Sequence, residues 1–371
     1  MGGPGSGKSL VLVHRAHFAV KNAKLPVHRV ALLTYTNRLK AELVDGLTKL
    51  GLEQLSVSTF DALCKDLHKQ FLPGKSVPSQ NSTRGVLEVR KNVLKALEDN
   101  PIQPLFEFCL VDESQDLDET SLLILKRVSK SSTLAMDVRQ QLYGTGMNPK
   151  LAAKTLGVGV KQQTLLNAYR CTPNIVKLAS IFLNSEEEIA EFQSANLLSP
   201  DDVETPKVTI FESDQQKMDS LRDAIVERGQ LGQSTLILGS SKSWVKSVVD
   251  DLGKAGVNVV SAAHLSAAGN LPEVVTYHSA KGLTVDSVFL PDLDSLIGDK
   301  FYEAPVANLL FVAVTRATHY VWIGLKKDSK WRYLPQIEAL EKAGVVQIVH
   351  ASTKAPTEQI QTVDEDDDWE V

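Results

Sequence analysis

No apolar stretch of this sequence reaches the roughly 18 residues that a membrane-spanning helix needs, so none is a candidate span. Residues 1–9 lack the charged-then-apolar layout of a secretory signal. Cysteine is scarce. Cys64, Cys109 and Cys171 are scattered, odd in number and without zinc-ligand spacing. That pattern argues against a disulfide framework and for a reducing cytoplasm. Basic charge is also in short supply, since the formal net charge is −5. Much of the deficit is local: Asp364-Glu365-Asp366-Asp367-Asp368-Trp369-Glu370-Val371 holds six acids and no base. Residues 1–363 alone carry +1. A near-neutral body can still bear a basic groove, so bulk charge does not exclude a nucleic-acid partner.

What is present is the balance of a globular protein, 43% hydrophobic and 23% charged. Its 371 residues suggest two or three domains. Short β-branched runs alternate with amphipathic ones. Strands are expected at 30–34, 55–58, 108–112, 133–136, 163–166, 208–211, 235–238, 257–261, 274–276, 287–290 and 320–323. Helices are expected over 37–50, 85–97, 173–184 and 308–317. This alternation predicts an α/β fold with parallel sheets. The series runs twice, so two domains are expected, 1–164 and 165–349. A small helical insert is expected at about 65–104, and residues 350–371 read as a disordered acidic tail.

The chain opens on Gly2-Gly3-Pro4-Gly5-Ser6-Gly7-Lys8-Ser9, a full G-x-x-x-x-G-K-[ST] phosphate loop. Its glycines allow a tight turn that aims backbone N–H groups at phosphate oxygens. Lys8 is placed to reach the outer phosphates and the Ser9 hydroxyl to hold Mg²⁺. The following apolar run puts the phosphates at a helix N-terminus. Downstream, Leu110-Val111-Asp112-Glu113-Ser114-Gln115-Asp116 delivers two carboxylates from the end of a buried strand. Asp112 suits Mg²⁺ and Glu113 suits a general base, while Asp118 or Glu119 could cap the next helix. ATP and Mg²⁺ are the expected cofactors.

Asp112-Glu113-Ser114-Gln115 resembles the D-E-x-Q motif of superfamily 1 helicases of the UvrD/Rep type. Further segments follow that family's order. Leu33-Thr34-Tyr35-Thr36-Asn37 is similar to motif Ia, and Val57-Ser58-Thr59-Phe60-Asp61 to motif Ib, which implies contacts of Thr34, Thr36, Thr59 and Phe60 with a single strand. Asp137 to Tyr143 resembles motif III, which implies that Gln140 senses the γ-phosphate and that Tyr143 lies near nucleic acid. Asn167-Ala168-Tyr169-Arg170 resembles motif IV, with Tyr169 on the base and Arg170 on the γ-phosphate. Thr276 to Leu283 is similar to motif V, bringing in His278 toward nucleic acid and Gly282 toward nucleotide. Leu310 to Ala317 is similar to motif VI, which makes Arg316 an arginine finger.

The resemblance implies two RecA-like P-loop domains that sandwich one ATP. It also implies a translocase on single-stranded or partly duplex DNA, a 3′ to 5′ helicase with a place in DNA repair. An alternative stays open, a nucleotide-switched ATPase that signals to a partner nuclease or repair protein without unwinding. The acidic tail could serve a protein partner.

The sequence also departs from that family. No strand or upstream glutamine motif stands before the loop, as a fragment, a late start codon or a split gene would give, with a gap in the first sheet. Only 52 residues separate Thr59 from Asp112, and 107 separate Arg170 from His278, so the inserted subdomains are reduced. Thr284 stands where motif V has a glutamate toward the ribose, and Gly144-Thr145 where motif III continues to a tryptophan. Met136 replaces a glycine before Asp137, and nothing in the sequence explains it.

Overall fold

The computed structural model describes residues 1–351 except 81, 143–146, 160–161, 199–202, 262–270, 292, 297–299 and 302–303. The first part of the chain builds α1 (Lys8–His17), β1 (Val30–Thr34), α2 (Asn37–Lys49), β2 (Ser56–Thr59), α3 (Phe60–Phe71) and α4 (Thr83–Asp99). It continues with β3 (Phe106–Val111), α5 (Glu119–Val128), β4 (Ser129–Leu134) and α6 (Pro149–Leu156). Its four strands pair in parallel in the order β2-β1-β3-β4. Strand side chains alternate between faces. Ala31, Leu33, Cys109 and Val111 pack under α3, α4 and α5, and Val30, Leu32 and Leu110 pack under α1 and α2. A parallel sheet must be covered in this way on both faces. Val89, Val93 and Leu97, one face of α4, are fully buried in the first of these layers.

The second part builds α7 (Pro173–Ser180), α8 (Glu186–Ala195), β5 (Lys207–Phe211), α9 (Asp214–Gln230), β6 (Thr235–Gly239) and α10 (Lys242–Lys254). Then come β7 (Val260–Ser261), β8 (Glu273–Thr276), β9 (Val285–Leu290), the short β10 (Lys300–Phe301) and β11 (Ala304–Pro305), and α11 (Val306–Val314). β12 (Ala317–Lys326), α12 (Leu334–Lys342) and β13 (Gln347–His350) complete it. Seven strands form one parallel sheet, β13-β5-β12-β9-β6-β8-β7. α7 and α11 cover one face with Leu236, Val288, Val321 and Ile323. α9 and α10 cover the other with Ile237, Phe289 and Trp322. The fold is α/β with two parallel sheets, as the alternation of strands and helices predicted.

Local sequence explains most element ends. Thr36, Thr59, Asp118, Ser185, Ser213 and Ser241 each accept a backbone N–H at the start of the helix that follows, satisfying a donor the helix cannot pair itself. Three expectations shift. The strand expected at 133–136 is β4, at 129–134, because the polar run Ser129-Lys130-Ser131-Ser132 pairs with β3 despite its composition. The strand expected at 163–166 is a single parallel bridge between Gly2 and Leu165, with the Met1 amine donating to the Gln163 carbonyl at 2.8 Å. β13 was not anticipated. Among the described residues no helix is long and apolar enough to cross a membrane.

Candidate active site

The phosphate loop takes the shape its glycines allow. Gly5 and Gly7 have φ of 72° and 85°, in the left-handed region that costs a glycine nothing. Gly7 is the N-cap of α1, so the free N–H groups of the first helical turn point into the loop. The Ser6 hydroxyl donates to the Gly3 carbonyl at 2.9 Å. The Lys8 ammonium donates to the carbonyls of Gly2 and Gly3, both at 2.9 Å, and so lies folded over the loop.

β3 carries the carboxylates to this loop. The Asp112 N–H donates to the Leu33 carbonyl at 2.8 Å, which prolongs the sheet by one residue. The Ser9 hydroxyl donates to Asp112 Oδ2. Burial, reinforced by the charge of Glu113, pushes the Asp112 carboxyl up to about 6. A buried carboxylate that resists ionisation, facing a hydroxyl oxygen, is a hard oxygen pair that a Mg²⁺ ion would relieve and that suits its ligand preference.

Glu113 stands next to it with φ 52° and ψ 36°, uncommon for a residue with a Cβ. Its side chain accepts from Gln115 Nε2 at 2.6 Å and faces the Lys281 ammonium at 3.1 Å. Burial alone would raise its pKa, but the charges of Lys281 and Lys8 outweigh it and hold the carboxyl well below the usual range. It is therefore an ionised, buried acceptor, as a general base must be.

The opposite wall comes from the second part of the chain. Lys281 is 1% exposed; its ammonium bonds Asp116 and the Gln140 carbonyl, the latter at 2.9 Å. Asn308 on α11 donates to the Gln141 carbonyl at 2.7 Å. Arg316 is buried and donates to the carbonyls of Val312 (2.8 Å) and Leu283 (3.3 Å), to the Thr315 hydroxyl (3.1 Å) and to Gln140 Oε1 (3.1 Å). Burial and the like charge of Arg170 push its pKa down to about 9, which leaves it charged at neutral pH. Gln140 is itself fixed by Asp137 Oδ2 at 2.8 Å. Arg170 reaches the loop from the same side: a Cβ on Gly5 would lie 2.4 Å from the Arg170 Cβ, and the Tyr169 N–H donates to the Gly5 carbonyl at 3.3 Å.

The fold thus brings together Gly2 to Ser9, Asp112, Glu113, Gln140, Arg170 and Arg316. Tyr169 stands beside the loop with 61% of its surface exposed, an open aromatic face. Other expectations need correction. Thr34 and Phe60 are each 1% exposed and belong to the interior, so neither presents a surface to a nucleic-acid strand here. Phe60 lies under the Arg90 guanidinium. The Thr36 and Thr59 hydroxyls are taken up as helix caps. Gly282 packs on α2, where a Cβ would lie 2.5 Å from the Leu39 side chain, so its role is close contact between the two parts and not a nucleotide seat. His278 is half-buried in a single turn after β8, with its pKa lowered by burial. Tyr143, Gly144 and Thr145 lie outside the described residues. Lys281, Asp116 and Asn308 were not singled out from sequence. The available signal was the lysine of motif V, which stands between Ala280 and Gly282.

Comparison with known proteins agrees with the resemblance read from the sequence. Residues 1–145 match the model of an AAA domain, and residues 273–323 match the UvrD-like helicase C-terminal domain. Together these two matches support a helicase of the UvrD/Rep type. This helicase chain also shares its fold with Saccharomyces cerevisiae Dbp5 bound to RNA and ADP BeF3. The TM-score is 0.52, at 10% identity over 94% of this chain and 82% of that one. A Dbp5 point variant in the same complex gives 0.55 and 11%, over 94% and 83%. The C-terminal domain of a possible DNA helicase from Lactobacillus plantarum matches at 17% identity over 48% of this chain and 98% of that one, with a TM-score of 0.36. No curated protein matches significantly. The helicase-family matches make this a nucleotide-dependent, ATP-hydrolysing type of protein.

Proposed function

We propose that this UvrD/Rep-type chain is an ATP-dependent translocase on single-stranded DNA, moving 3′ to 5′ and separating strands in DNA repair. The observation that carries the reading is the Arg316–Gln140 contact. It sets a buried cation of the second part against the γ-phosphate sensor of the first, beside the ionised Glu113. In this reading residues 1–164 and 165–349 are the two RecA-like domains and 350–371 a tail that could serve a protein partner. ATP lies between the domains. The loop amides and Lys8 hold its phosphates. Ser9 and Asp112 would hold Mg²⁺, which supplies charge neutralisation on the outer phosphates. Glu113 orients and deprotonates the attacking water, while Arg316 and Arg170 stabilise the charge that builds on the transferring group. Tyr169 offers its exposed face to the base.

Loss of the γ-phosphate removes what both sides grip, so the cleft can open and a strand laid across both domains can advance. The half-buried His278 and the Thr36 and Thr59 turns remain the proposed strand contacts. The test measures ATP turnover without nucleic acid, with single-stranded DNA and with single-stranded RNA. A several-fold stimulation by DNA is expected, and Lys8→Ala abolishes turnover. Turnover indifferent to every nucleic acid sinks the motor reading. Turnover without strand displacement on a tailed duplex favours a nucleotide-switched signalling subunit.

A further inference from the structure

The outer face of α1 is unusually apolar for an exposed helix. Leu10 and Phe18 are 61% and 62% exposed, and Val11 is exposed between them. With Leu25 and Phe108 they line a groove of about 640 Å³. Exposed apolar ground of this kind marks a binding surface more often than bare solvent contact. Its rim is basic. His14 and Arg15 line the groove, the Arg15 guanidinium lying over the Phe108 ring 5.7 Å from its centre, and Lys21 lies in the helical stretch Phe18–Asn22 that continues α1. Among the described residues no carboxylate pairs with Arg15 or Lys21. The sequence sharpens the contrast. Residues 1–41 contain seven Lys and Arg and no Asp or Glu, whereas residues 364–371 contain six acids, no Lys or Arg, and one tryptophan.

We infer that the C-terminal segment 364–371 docks in this groove, with Trp369 seated on its apolar floor and the flanking acids against Arg15 and Lys21. Each component has a physical counterpart. An indole fills an apolar slot and attracts a neighbouring guanidinium through its ring face. Clustered carboxylates facing unpaired cations supply the attraction that orients the segment. The last described residue, Ala351, directly follows β13. The twelve residues 352–363 give the segment a reach of up to about 40 Å. Because α1 starts at Lys8 and Ser9, the docked segment braces the helix that carries the phosphate loop. The inference stands independently of the motor reading, since it uses none of the cleft residues.

Hydrogen–deuterium exchange on the full chain tests it. Amides of residues 10–25 are expected to exchange about threefold faster or more in Trp369→Ala, and likewise when Asp366, Asp367 and Asp368 are all replaced by Asn. The same loss of protection is expected for the unaltered chain in roughly 0.5 M salt, where exposed charges are screened. Arg15→Glu should also lose protection, and adding Asp367→Lys to it should restore part of it; this rescue distinguishes lost docking from damage to α1. Exchange over 10–25 that no tail substitution changes overturns the proposal. Protection that rises with protein concentration, with a doubled mass by light scattering, overturns it in favour of a second copy on this face. Protection gained only on adding single-stranded nucleic acid overturns it in favour of that ligand.

Discussion

The two walls of the cleft differ in the sign of the charge they bury. The wall built on β3 and β4 buries carboxylates, Asp112, Glu113, Asp116 and Asp137. The wall built around α11 buries cations, Lys281 and Arg316. Neither set would be tolerable alone, because an unpaired buried charge costs several kcal/mol. The cleft is therefore held by opposite charges as well as by packing. The two cations also differ from each other. Lys281 is neutralised by Asp116 and Glu113, whereas Arg316 bonds only neutral oxygens among the described residues. The lysine ties the two walls together as a clamp, whereas the arginine has no acidic partner among the described residues, which is what the proposed finger role requires.

This contrast can be broken by experiment. Arg316→Ala should give the largest effect, a fall in ATP turnover of about 10³-fold or more with the fold retained; a fall under tenfold would remove the arginine-finger assignment. Lys281→Met should act on stability as well as on turnover, because Glu113 loses one of the cations that keep it ionised. It leaves Asp116 buried without its cation, at a cost of about 3–5 kcal/mol, read by thermal or denaturant unfolding. If this variant melts normally, the clamp assignment fails.

The acidic wall makes a pH prediction. The folded pKa of Asp112 is raised above its ordinary value of 3.8 to about 6. In the absence of a cation, ionising it therefore opposes folding as pH rises from about 4 through 6. A Mg²⁺ ion offsets that penalty only when the group is ionised. The Mg²⁺-induced gain in Tm should be present above pH 6 and fade as pH falls through it; a gain that persists at pH 5 counts against Asp112 as ligand. The smallest effect belongs to a site off the cleft. Asp118→Ala removes the cap of α5 and should cost about 1 kcal/mol while sparing turnover.

How much of this was legible beforehand varied with the range of the interaction. β1 and the start of α2 were read correctly because a short apolar run and the amphipathic run that follows it are local signals. β4 was misplaced because Ser129-Lys130-Ser131-Ser132 has no strand-like composition; pairing with β3 makes it a strand. Phe60 and Thr34 looked like surface contacts by motif resemblance, yet strand geometry and the α3–α4 layer enclose them. The clamp was invisible for a plainer reason: Asp116 and Lys281 are 165 residues apart.

By itself, then, the sequence determined the kind of fold, the phosphate loop, the Asp112–Glu113 pair and the family, all written in short contiguous spacings that local backbone geometry reads directly. Only the tertiary structure decided which buried charges meet, that Gly282 serves packing on Leu39, and that α1 presents an apolar groove with a basic rim. Those outcomes depend on burial and on distances between remote segments. A charge or a methyl group acquires its meaning there from what the fold sets beside it.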